Sequence, residues 1–381
     1  MPSFRYPLTG RVELGGFAGY LAENLDVPRA NIKAFGRELS AEFDTRYLTL
    51  VTSGSAANLC AALTCRELVK PGGEAIVAGF TFPTTIAALK LAGYSVRVVD
   101  TEPYGFNMDP ASFSKALNKR TKIVCFTHFL GFPAQVEELC SIARAHGVMI
   151  IQDGCESLDL RINGRQAHSF GDMTTWSFYH PHHISSFGGG AIISNSKDHF
   201  RIIESISHWG RECTCHIDPA TCTAPDGVNH NFHYVRDIGQ NLEMSELNAC
   251  FGRYQFQTWK QQEARRIKNY AILYNALSGI DGIKIYPTPP NSGSPSIFPI
   301  TTLRHDMAEI SQRLKLRGVE TRSLMGGVVT GQPAFAKLRH DGLLNCRRMS
   351  QTSFMIGIHQ TLPIEDVESV ATILREELSC P

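Results

Sequence analysis

Short blocks of apolar positions alternate with stretches of helical spacing along most of this chain. Leu48–Val51, Ala75–Ala78, Ser95–Val99, Ile123–Phe126 and Val148–Ile151 read as strands, the later ones apolar enough to be buried on both faces. Thr84–Ala92, Asp109–Leu117 and Val136–His146 lie between them with helical periodicity. Strand and helix in turn predict an α/β fold with a mostly parallel sheet and a ligand site at the strand C-termini. Ahead of this series, Ile32, Phe35, Leu39 and Phe43 mark one helix behind an N-terminal arm. A helical pattern from about Leu242 to Leu277 bridges towards a second region, and Tyr286–Ser296, rich in Pro, Ser and Gly, reads as a loop. The expected division is a large domain over residues 1–255 and a smaller C-terminal α/β domain over 256–381. No internal repeat or low-complexity tract interrupts this order.

Chemistry concentrates at three places. The strand Leu48–Val51 runs into Thr52-Ser53-Gly54-Ser55-Ala56-Ala57-Asn58, a small-residue turn opening a helix. Such a turn exposes N–H groups at the positive end of a helix dipole, which suits a phosphate, and an ordinary serine cap is the competing reading. The strand Val148–Ile151 leads into Gln152-Asp153, a carboxylate at a strand end. A further strand leads into Ser177-Phe178-Tyr179-His180-Pro181-His182-His183-Ile184, followed by Gly188-Gly189-Gly190. Together these suggest a pyridoxal phosphate site, in which a lysine ordinarily makes a Schiff base with the cofactor. No lysine occurs between Lys122 and Lys197, so histidine stands in the lysine's place.

Composition narrows the setting. Hydrophobic residues make up 43% and charged residues 19% of the chain, as in ordinary globular proteins. A formal net charge of +1 gives no electrostatic reason to expect nucleic acid or an anionic membrane. With neither a signal peptide nor an apolar run of membrane length, the expected location is the cytoplasm, where the eleven cysteines would be thiols or metal ligands. Four stand out: Cys155, then Cys213 and Cys215 after residues 156–212, an interval of 57, then Cys222 after six more. Thiolates converging in a loop suit an iron–sulfur cluster or structural zinc, with unligated thiols the alternative.

The residues Asp153, Ser177-Phe178 and Gly189-Gly190-Ala191 resemble the sugar-aminotransferase branch of fold type I pyridoxal phosphate enzymes. His182-His183-Ile184 with the four cysteines resembles a narrower group, the CDP-4-keto-6-deoxyglucose-3-dehydrases, which use pyridoxamine phosphate and a [2Fe-2S] cluster. The likeness runs over about residues 48–375 and includes Trp209-Gly210-Arg211 and Gly239-Gln240-Asn241-Leu242. It implies the fold type I transferase fold, with Asp153 at the pyridinium nitrogen, Phe82 stacked on the ring and Glu156 near its phenolic oxygen. Gly54, Ser55, Ala56 and Ser177 would hold the phosphate, with Asn241 reaching it from a neighbouring subunit of a homodimer. His182 would act as the base at C4′, and Cys155, Cys213, Cys215 and Cys222 would carry the cluster, fed by a separate reductase.

The implied activity is reductive removal of a hydroxyl from a hydroxy-ketone such as a 4-keto-6-deoxy sugar. A redox-neutral pyridoxamine-dependent dehydratase and a non-catalytic binding protein are the alternatives. Two departures bear on the substrate. Phe187-Gly188-Gly189-Gly190 replaces a Gly-Glu-Gly-Gly turn, and Val328 and Gly331 stand where the group has Asn and Arg. The expectation is a pocket that grips a nucleotide diphosphate weakly, unless Arg317, Arg322 or Arg339 compensates.

Overall fold

The computed structural model describes residues 4–25, 29–212, 227, 229, 233–290 and 292–379. Two helices, α1 (Phe17–Asn24) and α2 (Ala30–Phe43), stand where the sequence pattern predicts one. The apolar stripe of α2 buries Phe35, Leu39 and Phe43 against Trp176 and Phe178. Then follow β1 (Tyr47–Val51), α3 (Gly54–Leu68), β2 (Glu74–Ala78), α4 (Pro83–Leu91), β3 (Ser95–Val99), α5 (Pro110–Ala116), β4 (Thr121–Thr127), α6 (Val136–Ala145) and β5 (Met149–Asp153). This is the predicted alternation. Side-chain caps start α3 and α5: Ser53 accepts from the Ala56 N–H and Asp109 from the Ser112 N–H.

A small hairpin of β6 (Arg161–Ile162) and β7 (Arg165–Gln166) precedes β8 (Met173–Ser177), β9 (Gly190–Ser194) and α7 (Lys197–Ser207). The expected single helix over 242–277 is two, α8 (Glu246–Phe256) and α9 (Trp259–Leu277). Trp259 stacks on Phe256 across the break, with ring centroids 6.0 Å apart, so the apolar period runs on although the helix does not. The chain closes with β10 (Ile283–Ile285), β11 (Phe298–Thr302), α10 (Met307–Leu316), β12 (Arg322–Ser323), β13 (Arg339–His340), α11 (Leu344–Thr352), β14 (Ser353–Ile356) and α12 (Ile364–Ser379).

Eight strands form one sheet in the order β1-β9-β8-β5-β4-β2-β3-β13, and β10-β11-β14-β12 form a second, antiparallel sheet. In the large sheet the pairings from β8 through β5, β4, β2 and β3 to β13 are parallel, while both pairings of β9 are antiparallel. Register brings Val51, Gly190, Ser177, Asp153 and Thr127 to one edge. Every candidate element of the site therefore ends on the same side of the sheet, as the parallel order requires. A side chain at Gly190 would put its Cβ 2.6 Å from the Ser53 carbonyl carbon and 2.7 Å from the Gly54 nitrogen. That close approach of β9 to the start of α3 explains the glycine there. Among the described residues no helix is long and apolar enough to cross a membrane.

Candidate active site

A cavity of about 600 Å³ opens at that edge, lined by Gly54, Ser55, Phe82, Asp153, Cys155, Glu156, Ser177 and His182. Distant stretches of sequence meet here because β1, β5 and β8 all deliver their C-terminal ends to it. Asp153 is 2% exposed. Its Oδ2 accepts from Asn58 Nδ2 at 3.0 Å and Thr85 Oγ1 at 2.7 Å, and its Oδ1 accepts from the Cys155 N–H at 3.2 Å. Asn58 is in turn fixed by Thr175 Oγ1, which donates to its Oδ1 at 2.7 Å. A carboxylate has about four lone-pair sites, so one site on Oδ1 remains, within reach of the Cys155 thiol and of a donor from the cavity.

The start of α3 faces the same space. Gly54 and Ser55 occupy its first turn, where N–H groups lack intrahelical partners, and Ser55 Oγ donates to Thr84 Oγ1 at 2.9 Å. The Ala56 N–H is taken by Ser53 Oγ, and Ala56 does not line the cavity. Ser177 lines it, its Oγ accepting from the Tyr179 N–H at 3.3 Å. Phe82, the N-cap of α4, is 48% exposed. An aromatic face left open at a cavity wall is suited to stacking on a planar ligand.

His182 sits in the connection between β8 and β9, half-buried, its N–H donating to the Tyr179 carbonyl at 3.0 Å. Burial holds its imidazole down at about 4, outweighing the pull of Asp153, while His180 lowers it further. It is therefore a neutral base at pH 7. His183 is 4% exposed and hydrogen-bonds the Ser294 carbonyl through Nε2 at 2.8 Å, and His180 is exposed. Glu156 is pushed up to about 7 by burial, even though its Oε2 accepts from the Leu130 N–H at 2.7 Å. No lysine lines the cavity among the described residues.

Of the four singled-out cysteines, Cys155 lines the cavity, and burial first, then Asp153, hold its thiol well above the ordinary range. Cys213, Cys215 and Cys222 lie outside the described residues. No group of three metal-ligating side chains occurs among the described residues. Asn241 is exposed and does not line the cavity of its own chain.

The substrate-side expectation changes more. Neither Val328 nor Gly331 lines the cavity; Val328 is buried beside Gly79. Arg317 pairs with Glu376 and Glu377, and Arg339 with Glu74, away from the cavity, whereas Arg322 lines it together with Arg11 and Arg266. Arg11 belongs to the N-terminal arm, which carries no periodic signal, and Arg266 to α9, where a basic residue reads as a solvated face. Asn58 and Thr85 were equally silent, being small polar residues in helical segments.

A cavity at the carboxyl edge of a largely parallel sheet, with a helix N-terminus on one side and a buried carboxylate on the floor, defines an α/β protein built to hold an anionic, ring-bearing ligand. The chain belongs to the DegT/DnrJ/EryC1/StrS aminotransferase family, whose profile matches residues 24–375. It is 32% identical over 371 residues to the dTDP-4-dehydro-2,6-dideoxy-D-glucose 3-dehydratase of Saccharopolyspora spinosa, covering 91% of this chain and 80% of the relative. It is 30% identical over 367 residues to the lipopolysaccharide biosynthesis protein RfbH of Salmonella typhimurium, covering 90% and 84%. In fold it matches the Escherichia coli GDP-4-keto-6-deoxy-D-mannose-3-dehydratase with bound hydrated PLP, with a TM-score of 0.89 at 21% identity over 98% of this chain and all of that one.

Proposed function

We propose that this protein is a pyridoxamine phosphate-dependent sugar 3-dehydratase acting on a nucleotide-linked 4-keto-deoxy sugar. One observation carries the reading: in a cavity with no lysine among its described lining residues, the loop after β8 presents a neutral histidine, His182. The residues fit the cofactor. Asp153 keeps one acceptor site for a protonated ring nitrogen, and the Gly54 and Ser55 N–H groups with Ser177 suit its phosphate. Phe82 would cover one face of the ring, and Glu156 would lie near its phenolic oxygen. Pyridoxamine phosphate, when bound, supplies an amine that condenses with a ketone and a ring that accepts electrons.

His182, uncharged at neutral pH, would accept the proton released at the cofactor's C4′ carbon, the general-base task. The hydroxyl at the neighbouring sugar carbon would leave as water. Arg11 and Arg322 would offset the charge of a diphosphate, in place of the weak nucleotide grip expected from Val328 and Gly331. The names of the relatives support a nucleotide sugar. Asn241, exposed on the surface, would complete the phosphate site of a second subunit in a homodimer. The proposed cofactor domain over 1–255 and smaller domain over 256–381 are supported by the second sheet, whose strands all lie between 283 and 356, with β13 crossing back to pair with β3 of the large sheet.

The reductive form of this reaction needs electrons, and we propose that Cys155, Cys213, Cys215 and Cys222 hold a [2Fe-2S] cluster fed by a separate reductase. The place of Cys155 in the wall of the cavity supports it. Incubation of the protein with pyridoxamine phosphate and dTDP-, CDP- or GDP-linked 4-keto-6-deoxy sugars tests the function. A product lighter by one oxygen is expected, and an amino-sugar product would refute it. Dependence on a reductase rather than on glutamate separates the reductive form from the redox-neutral one.

A further inference from the structure

The segment from Ser292 to Ser296 is more than a connection. Ser294 is 1% exposed, and each of its polar atoms is engaged. Its N–H donates to Glu263 Oε1 at 3.3 Å, its Oγ accepts from Arg266 Nε at 2.9 Å, and its carbonyl accepts from His183 Nε2 at 2.8 Å. Two residues on, the Ser296 N–H donates to the Leu130 carbonyl at 3.0 Å, and the Leu130 N–H donates to Glu156 Oε2. Leu130 and Gly131 both have positive φ, 57° and 87°, and a Cβ on Gly131 would sit 2.7 Å from Pro295 Cα. The Leu130 turn is thus shaped to this segment. Arg266 is 3% exposed and its Nη1 donates to Gln360 Oε1 at 3.0 Å. A buried guanidinium is costly, and its rigid fork fixes geometry in a way an ammonium does not.

We propose that residues 292–296, locked from α9 by Arg266, form a brace that positions both sides of the active site, His182 through His183 and Glu156 through Leu130. Arg266, Ser294 and His183 are then positioning residues, a role that rests on His182 being the base. His182 and His183 are adjacent, and Ile184, buried with Phe35 and Phe178, holds the other side. With the His183 ring tied to Ser294, the His182 ring is held in the cavity wall. Release of that tie lets the loop from Tyr179 to Ser185 relax towards solvent.

Diethyl pyrocarbonate, which reacts with imidazole only in its unprotonated form, reads the position of His182 without any substrate. In cofactor-loaded parent protein the rate of His182 modification, followed by peptide mass spectrometry, should be nearly equal at pH 7.5 and pH 5.0. Asp153 and His180, whose fields reach this ring, are unaltered by the variants, and the neighbouring His183 imidazole is absent from His183→Phe and His183→Gln alike, so the contrast between those two reads the tie to Ser294 alone. In His183→Phe, relaxation towards an ordinary histidine should make modification at pH 7.5 faster than at pH 5.0 by on the order of 10- to 30-fold. His183→Gln, which keeps a side-chain N–H for the Ser294 carbonyl, should restore the parent ratio. Ser294→Ala, a mild change that leaves that carbonyl in place, should raise the ratio by a few-fold as Arg266 loses its acceptor. With a sugar nucleotide that the parent converts, kcat of His183→Phe should fall about 100-fold at unchanged KM. Folded His183→Phe protein with the parent modification ratio overturns the brace. A parent that dehydrates none of the sugar nucleotides but shows the modification pattern refutes the proposed function and leaves the brace standing.

Discussion

Just past the end of β4, beside the strand that bears Asp153, lies His128, 1% exposed, its N–H donating to the Asp153 carbonyl at 3.1 Å. Its ring is committed to one tautomer. The Ala134 N–H donates to Nδ1 at 3.2 Å, so Nδ1 is an acceptor, and Nε2 must carry the hydrogen that Gln152 Oε1 accepts at 2.9 Å. Protonation of Nδ1 would cost that bond and bury a charge, and burial accordingly holds His128 down at about 4 despite Gln152 and Asp153. In the unfolded chain the same ring binds a proton near pH 6.5. Between those values the unfolded state holds more protons, so stability falls as pH falls, by up to ~1.4 kcal/mol per pH unit for this group. Integrated from neutral pH, the loss is about 1.2 kcal/mol at pH 5.5 and about 2.5 kcal/mol at pH 4.5. His128→Gln removes the titration. The variant should be less stable than the parent at pH 7, and the gap should close by about 2.5 kcal/mol by pH 4.5. Urea unfolding of both proteins at pH 7.0, 5.5 and 4.5 measures it, because other buried histidines such as His183 and His359 contribute equally to both. A gap that stays constant across that range would refute a neutral, tautomer-locked His128.

The remaining predictions concern the cavity wall. A Cβ at Gly54 would lie 2.7 Å from Ser177 Cβ and 2.8 Å from Cys155 Sγ, so Gly54→Ala should cost roughly 1–3 kcal/mol by overpacking and weaken cofactor binding, measured by thermal unfolding and cofactor titration. Asn58→Leu removes one donor from the buried Asp153 carboxylate and should cost on the order of 1–3 kcal/mol, with Thr85→Val close behind; unchanged unfolding midpoints in both would sink the network. If the proposed [2Fe-2S] cluster is held as inferred, replacing Cys155, Cys213, Cys215 or Cys222 by Ser should remove it or shift its spectrum, because a serine oxygen is a poor ligand for soft iron. Full iron and sulfide content in all four variants would contradict the ligand set.

Much of the large sheet was legible because parallel strands covered on both faces must be apolar throughout, as Ala75–Ala78 and Ile123–Phe126 are. The strand-end carboxylate and the small-residue turn at Gly54 were legible for the same reason: each follows directly on such a run. What escaped carried no period. Arg339–His340 is too short to alternate, yet it pairs with Arg97 and Val98 at the edge of the large sheet. The break between Phe256 and Trp259 was hidden because both rings face the same core. The arm supplied Arg11 to the cavity because Tyr6 and Leu8 bind it to the 318–320 stretch, where the Leu8 N–H donates to Glu320 Oε2 at 2.8 Å. No local pattern announces a contact across more than three hundred residues. A basic residue in a helical segment reads as an exposed charge, yet Arg266 is buried and bonded to Ser294 and Gln360, both distant in sequence.

The most direct test of the central claim replaces the base itself. His182→Asn, purified with pyridoxamine phosphate bound, is compared with the parent on the sugar nucleotide the parent converts. Loss of the substrate oxygen should slow by roughly 100- to 10,000-fold, while cofactor content and the circular dichroism spectrum stay unchanged. Turnover of His182→Asn at the parent rate would show that another residue moves the proton and that the histidine in the lysine's place is not the base.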